Sequence, residues 1–118
     1  MEPTTTLYRP LGSHELSLIA ASGYREFPPR LPGQPIFYPV LSEEYAIQIA
    51  RDWNAKNSET RVGIVTKFRV KTVYLSKFEI RTVGARIHQE YWIPASELAE
   101  FDKNIVGLIE VIAEFGNK

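Results

Sequence analysis

Residues 61–73 alternate apolar and polar side chains, and this pattern constrains the fold more than any other part of the sequence. One face of the segment carries Val62, Ile64, Thr66, Phe68 and Val70. The other face carries the basic residues Lys67, Arg69 and Lys71. Because successive side chains of a strand point to opposite faces, the segment predicts a long antiparallel strand that is covered on one side. The basic residues are interpreted as its solvated face.

The remaining periodic segments predict a mixture of helices and strands. Strands are predicted at residues 5–9, 36–41, 79–83, 87–94 and 105–115, and helices at residues 13–22, 43–54 and 95–101. In the second helix, Tyr45, Ile49 and Trp53 lie four residues apart and predict a buried stripe. The last strand is apolar enough to be central in its sheet, with Gly107 at a bulge. This order predicts an α+β fold with a mostly antiparallel sheet and two or three short helices.

The composition narrows the class of protein. Lys plus Arg and Asp plus Glu both number 14, and a formal net charge of zero gives no electrostatic footprint for nucleic acid. Cysteine is absent and there are two histidines, so no metal cofactor is expected. The sequence has neither a secretory signal pattern nor an apolar run approaching the ~20 residues that span a bilayer. We therefore expect one cytoplasmic domain over residues 1–118, without membrane association.

Residues 24–35 predict an irregular segment. It contains Pro28, Pro29, Pro32, Gly33 and Pro35. Proline fixes φ and lacks an N–H donor, so neither a helix nor a central strand is expected here. One interpretation is a rigid connector that lies on the core through Phe27 and Leu31. The other is a binding loop that presents Arg25 and Arg30 at a cleft, since long loops inside compact domains are often functional.

The strand predicted at residues 87–94 carries the candidate catalytic residue, Glu90. Alternation places His88, Glu90 and Trp92 on one face of this strand. A buried carboxylate without a partner is costly, by several kcal/mol on a rough scale. Glu90 is therefore expected at a rim, in an ion pair with a base such as Arg9 or Arg86, or in a functional cleft.

Several segments together resemble small bacterial proteins of the ADP-ribosyltransferase-like fold. They are Leu7-Tyr8-Arg9-Pro10, the helix ending Ala21-Ser22-Gly23, Phe37-Tyr38 before the helix of Tyr45-Ala46, His88-Gln89-Glu90-Tyr91-Trp92-Ile93-Pro94 and Ile105-Val106-Gly107-Leu108-Ile109-Glu110-Val111. The resemblance covers most of the chain as an order of elements. It implies a split, two-sheet core in which a first-strand arginine holds NAD and a late glutamate acts on it.

Arg9 and Glu90 stand at those two positions, and Tyr38 lies where a middle-strand element would be. The resemblance thus implies Glu90 as the catalytic residue and a cofactor-binding set of Arg9, Tyr38, His88 and Trp92, in which Tyr38 or Trp92 could stack on a ring. The expected function is binding of NAD or a related nucleotide, with ADP-ribose transferred to an unknown acceptor. The alternative is a catalytically inactive protein-interaction module, an immunity or regulatory protein, that uses a surface around Tyr24 and Phe27.

Overall fold

A computed structural model describes residues 2–58, 60–84 and 86–116 of the chain. The elements are β1 Thr4–Leu11, α1 Ser13–Ala21, β2 Ile36–Phe37, α2 Glu43–Ile49, α3 Ala55–Asn57, β3 Val62–Lys71, α4 Thr72–Leu75, β4 Ile80–Thr82, β5 Gln89–Tyr91, β6 Ile93–Pro94, α5 Leu98–Lys103 and β7 Ile105–Gly116. A π-helical segment, Ala50–Asn54, joins α2 to α3, and a 3-10 turn, Ala95–Glu97, precedes α5. The predicted α+β class is confirmed.

The long strand β3 is the centre of the structure. It pairs antiparallel with β1 on one side and β7 on the other, which gives the strand order β1-β3-β7. As predicted, Ile64, Phe68 and Val70 are buried on one face, and Arg69 is exposed on the other. The prediction of one covered side holds only for the charged half of the strand, because Gly63 and Val65 at its start are buried on the other face.

A second pairing extends this sheet beyond β1. Phe37 pairs with Ile93, and Val40 forms a bridge with Glu90, so both pairs keep one antiparallel register between residues 36–41 and 89–94. Val40 also bridges to Tyr8 of β1 through two backbone hydrogen bonds of 2.9 and 2.8 Å. Residues directly opposite each other in such pairs share a face. The side chains of Tyr8, Val40 and Glu90 therefore lie on the same side of the sheet.

The two faces of the sheet are covered by different elements. On one face the main core contains Ile19 of α1, Phe27 of the proline-rich loop and Phe101 of α5, together with the apolar face of β3. On the other face, Ala46 and Ala50 pack with Val40 and Val65. The helical segment from α2 to α3 thus lies on the same side as Glu90, whereas α1 lies on the opposite side.

The prediction that Trp53 is buried with Tyr45 and Ile49 is wrong. The helix continues beyond Asn54 to Asn57, and its middle section, from Ala50, is π-helical. A π-helical turn contains an extra residue and shifts the phase of the side chains that follow it. Ala46 and Ala50 face the sheet, whereas the shifted phase turns Trp53 away from it, and 63% of Trp53 is exposed.

The prediction that the last strand is central is also wrong. Strand β7 is at the edge of its sheet, and Leu108, Val111 and Ile112 are exposed. The predicted bulge is confirmed, because Gly107 has φ +82° and the register with β3 shifts between Lys67 and Arg69. An apolar run indicates a strand, but its position depends on which strands pair with it. Across the described ranges, no helix is both long and apolar enough to cross a membrane.

The proline-rich segment behaves as an anchored connector at its N-terminal half. Phe27 is buried, with its ring 5.0 Å from that of Phe37 and 4.8 Å from that of Phe68. Its backbone N–H donates to Oδ1 of Asp102 at 3.0 Å. Phe27 is inside the core and cannot contribute to the predicted partner surface, whereas Tyr24 is exposed.

Replacing Asp102 by asparagine should stabilise the protein at alkaline pH. Burial raises the pKa of Asp102 to about 7, although the Phe27 N–H opposes the change. A carboxyl group with a raised pKa in the folded state stabilises it when protonated, so stability falls as pH rises from about 4 to about 7. Discounting for partial solvent screening, we expect Asp102→Asn to gain about 1 kcal/mol, or about 3–6 °C, at pH 8 and nothing at pH 4.

Thermal denaturation at several pH values measures this difference. Asparagine can still accept the Phe27 N–H, so the local geometry is retained. Glu100→Gln removes an exposed acid from the same helix and controls for the change in net charge. An equal gain in both variants at pH 8 would contradict the role assigned to Asp102.

Candidate functional site

A cleft of about 490 Å³ opens on the side of the sheet that carries Glu90. It is lined by Arg9, Pro10, Tyr38, Val40, Tyr45, Ile49, Asn54, Val83, Glu90 and Trp92. Its walls are therefore the end of β1, the segment of Tyr38 and Val40 that lies between β1 and β5, and the helix starting at α2. This volume lies within the range of small-molecule binding sites.

Glu90 is the acidic group of the cleft and is held in a fixed orientation. It is 8% exposed, and its carboxylate accepts one hydrogen bond on each oxygen. The Tyr45 hydroxyl donates to Oε2 at 3.0 Å, and the Trp92 indole N–H donates to Oε1 at 2.8 Å. Both donors are neutral, so they satisfy the carboxylate without cancelling its charge. A bound ligand with positive charge or a hydroxyl group would complement it.

The aromatic wall of the cleft follows from strand register. The register that pairs Phe37 with Ile93 and Val40 with Glu90 places Tyr38 directly opposite Trp92. Their rings are 5.8 Å apart in an edge-to-face arrangement. Aromatic surfaces of this kind can stack on a planar ligand, and the nearby carboxylate adds a polar contact.

His88 supports the cleft from behind Tyr45. Its ring stacks on that of Tyr45 with the centroids 4.5 Å apart, and its Nε2 lies 2.9 Å from Oε1 of Gln48. His88 does not belong to the described residues that line the cleft. Its contacts therefore suit a residue that fixes Tyr45, and through Tyr45 the Glu90 carboxylate.

Arg9 lines the same cleft as Glu90, but its charged group is paired elsewhere. The guanidinium donates from Nε to Glu15 at 2.7 Å and from Nη2 at 2.9 Å, and it lies 4.6 Å from the centroid of the Phe37 ring. Tyr8 shares a face with Glu90, so the adjacent Arg9 is directed to the opposite face. Arg9 and Glu90 both line the cleft, but their charged groups lie on opposite faces of the sheet, and neither Arg9 nor Arg86 is the partner of Glu90.

Tyr45 is a site residue that the sequence analysis assigned to the core. Burial, followed by the hydrogen bond to Glu90, raises the pKa of Tyr45 to about 12, so its hydroxyl remains a proton donor at neutral pH. The four-residue spacing with Ile49 gave the helix face correctly. It did not indicate that this face borders a cleft, because the cleft forms between the helix and Tyr38 and Val40 of a different segment.

Arg81 was not predicted to contribute to the site. It lies directly opposite Glu90 in the β4–β5 pair, and its guanidinium is 4.3 Å from the centroid of the Trp92 ring. Arg81 thus lies on the same face as Glu90, at the edge of the aromatic wall. The sequence does not show how β4 pairs with β5, and the position of Arg81 opposite Glu90 depends on that register.

These contacts define what the cleft can do chemically. It combines an oriented anionic acceptor, Glu90, with the aromatic rings of Tyr38 and Trp92 and the nearby cation of Arg81. Such a site can bind a planar ring joined to a hydroxylated group, and its carboxylate can stabilise positive charge that develops on that group. Comparison with protein-family models, with curated proteins and with solved structures gives no match for this chain.

Proposed function

We propose that this cleft binds NAD or a related nucleotide, and that the protein is an ADP-ribosyltransferase-like domain that transfers ADP-ribose to an acceptor. The observation that carries the proposal is the buried Glu90 carboxylate, which two neutral donors orient between aromatic rings. Glutamate side chains are rarely buried, so a buried carboxylate that is held in place at the wall of a cleft points to a binding or catalytic site.

In the proposed reaction the bond between C1′ of the ribose and the nicotinamide nitrogen breaks. Nicotinamide leaves as a neutral molecule with the bonding electron pair, and positive charge develops on the ribose. The Glu90 carboxylate stabilises this charge and accepts a hydrogen bond from a ribose hydroxyl. The acceptor then bonds to C1′ and releases its proton. Tyr45 and Trp92 act as positioning residues, because they hold the carboxylate before the substrate arrives.

The predicted cofactor-binding residues take different parts in this proposal. Trp92 and Tyr38 supply stacking surfaces for a ring of the nucleotide. Arg9 lines the cleft, but its guanidinium is directed to the opposite face and paired with Glu15, so we assign it no direct contact with the nucleotide in the cleft. His88 acts indirectly, by fixing Tyr45.

Quenching of tryptophan fluorescence by NAD tests the binding step. The chain has two tryptophans, Trp92 in the cleft and the exposed Trp53, so Trp53→Phe isolates the cleft and serves as the matched control. We expect Trp53→Phe to bind NAD as the wild type does. Trp92→Ala should weaken NAD binding by about tenfold, the usual cost of losing one stacking contact. Calorimetric titration measures both affinities.

Equal NAD affinity of the Trp92→Ala and wild-type proteins would contradict the proposed binding mode. The complete absence of NAD binding by the wild type, together with recovery of a stoichiometric protein partner from a lysate, would instead favour the alternative function as a catalytically inactive interaction module.

A further inference from the structure

A second cavity of about 220 Å³ lies on the opposite side of Arg9 from the cleft. Its lining residues are Arg9, His14, Glu15, Leu18, Pro28, Pro29, Arg30, Leu31 and Gln34. It is thus enclosed by the start of α1 and by the proline-rich loop, whose bends direct Arg30 toward Arg9. The sequence predicted a binding loop that presents Arg25 and Arg30 at a cleft. Arg30 lines this cavity, whereas Arg25 is exposed and does not line it.

The charges of this cavity do not balance. Arg9 and Glu15 form a bidentate ion pair, so the carboxylate is fully engaged by one guanidinium. Arg30 is half-buried beside this pair, and among the described residues it forms no ion pair. Its Nε atom is buried and has no hydrogen-bond partner within the described part of the chain. The cavity therefore contains two guanidinium groups but only one carboxylate, and that carboxylate is paired with Arg9.

An unpaired, partly buried guanidinium is costly for the protein. Burial, and after it the charge of Arg9, lowers the pKa of Arg30, although arginine remains charged at neutral pH. Burying a donor without a partner destabilises the folded protein, and more so when the donor is charged. An anion in the cavity would accept hydrogen bonds from Arg30 and relieve both costs.

We propose that this cavity is an anion site that binds a phosphate group, with Arg30 as its direct ligand. Phosphate suits the site because the planar guanidinium offers two parallel donors that match two phosphate oxygens. The proline-rich backbone has few accessible conformations, so holding Arg30 at the cavity costs little entropy on binding. The proposal is independent of NAD cleavage at Glu90, since Arg30 lines this cavity and Glu90 lines the cleft.

Titration of the full chain with sodium phosphate at constant ionic strength, followed through the arginine Nε–Hε signals by NMR, tests the proposal. The Arg30 signal, assigned by its loss in Arg30→Gln, should shift saturably with a Kd of about 1 mM or lower. Arg25→Gln removes the same charge from the same loop and should bind phosphate as the wild type does. Arg30→Lys, which keeps the charge but loses the paired donors, should retain part of the affinity.

Two further titrations, with ADP and with acetate, identify the source and the kind of anion. If ADP binds more tightly than phosphate and loses at least tenfold in affinity in Arg30→Gln but not in Arg25→Gln, the bound phosphate belongs to a nucleotide. Equal affinities for ADP and phosphate assign the site to free phosphate. An acetate titration should give no saturable shift at the same concentrations. The proposal is overturned by the absence of saturation up to about 20 mM phosphate, or by equal weakening in Arg30→Gln and Arg25→Gln.

Discussion

Replacing Gly63 by alanine should destabilise the protein by at least about 3 kcal/mol. A Cβ at position 63 would overlap the carbonyl oxygen of Ala50 and lie 2.7 Å from its carbonyl carbon. The obstacle is backbone on both sides, because Gly63 belongs to the central strand β3 and Ala50 begins the π-helical segment. Neither can move without breaking its hydrogen bonds.

Chemical denaturation of the purified variant measures the free energy of unfolding, and its expression level reports outright failure to fold. Gly12→Ala is the matched control, because its Cβ would meet only the Ser58 side chain closely, at 3.2 Å. This control should lose less than about 1 kcal/mol. A Gly63→Ala protein as stable as Gly12→Ala would show that the helix does not rest on β3 as described.

Replacing Glu90 by glutamine should reduce the rate of NAD cleavage by about 10²–10³-fold, the usual cost of losing one electrostatic contact to a transition state. Glutamine keeps the shape of the side chain and can still accept the Trp92 N–H, while its amide donates to the Tyr45 oxygen. It loses only the negative charge. Stability should therefore change by no more than about 1 kcal/mol, so the loss of activity would not reflect unfolding.

Release of nicotinamide from NAD, measured with labelled substrate, gives this rate. Glu44→Gln, an exposed acid in the first turn of α2, is the control and should retain wild-type activity. Tyr45→Phe removes one of the two hydrogen bonds that orient Glu90, and an intermediate loss of about tenfold is expected. Identical NAD cleavage in the wild type and Glu90→Gln, or none in either, would end the enzymatic proposal.

Only part of the candidate site could be predicted from the sequence. Alternation along residues 87–94 placed Glu90 and Trp92 on one face, and the hydrogen bond between them agrees. It could not identify Tyr45, which donates to Glu90 from a helix, or Arg81, which lies opposite Glu90 on a neighbouring strand. Arg9 was expected near Glu90, yet its guanidinium is paired with Glu15 across the sheet. The face of a strand on which a residue lies follows from its position in the sequence, whereas its contact partner depends on how distant segments pack together.

The sequence by itself determined the central strand β3, the helix starting at α2, the bulge at Gly107 and the α+β class, because periodicity and turn residues act within a few positions of the chain. Only the tertiary structure decided that β7 lies at the sheet edge, that Trp53 is exposed, and that the buried Nε atom of Arg30 has no partner among the residues that the structure describes. Each of these depends on packing between segments far apart in the chain, and non-local contacts of this kind leave no periodic signal in the sequence.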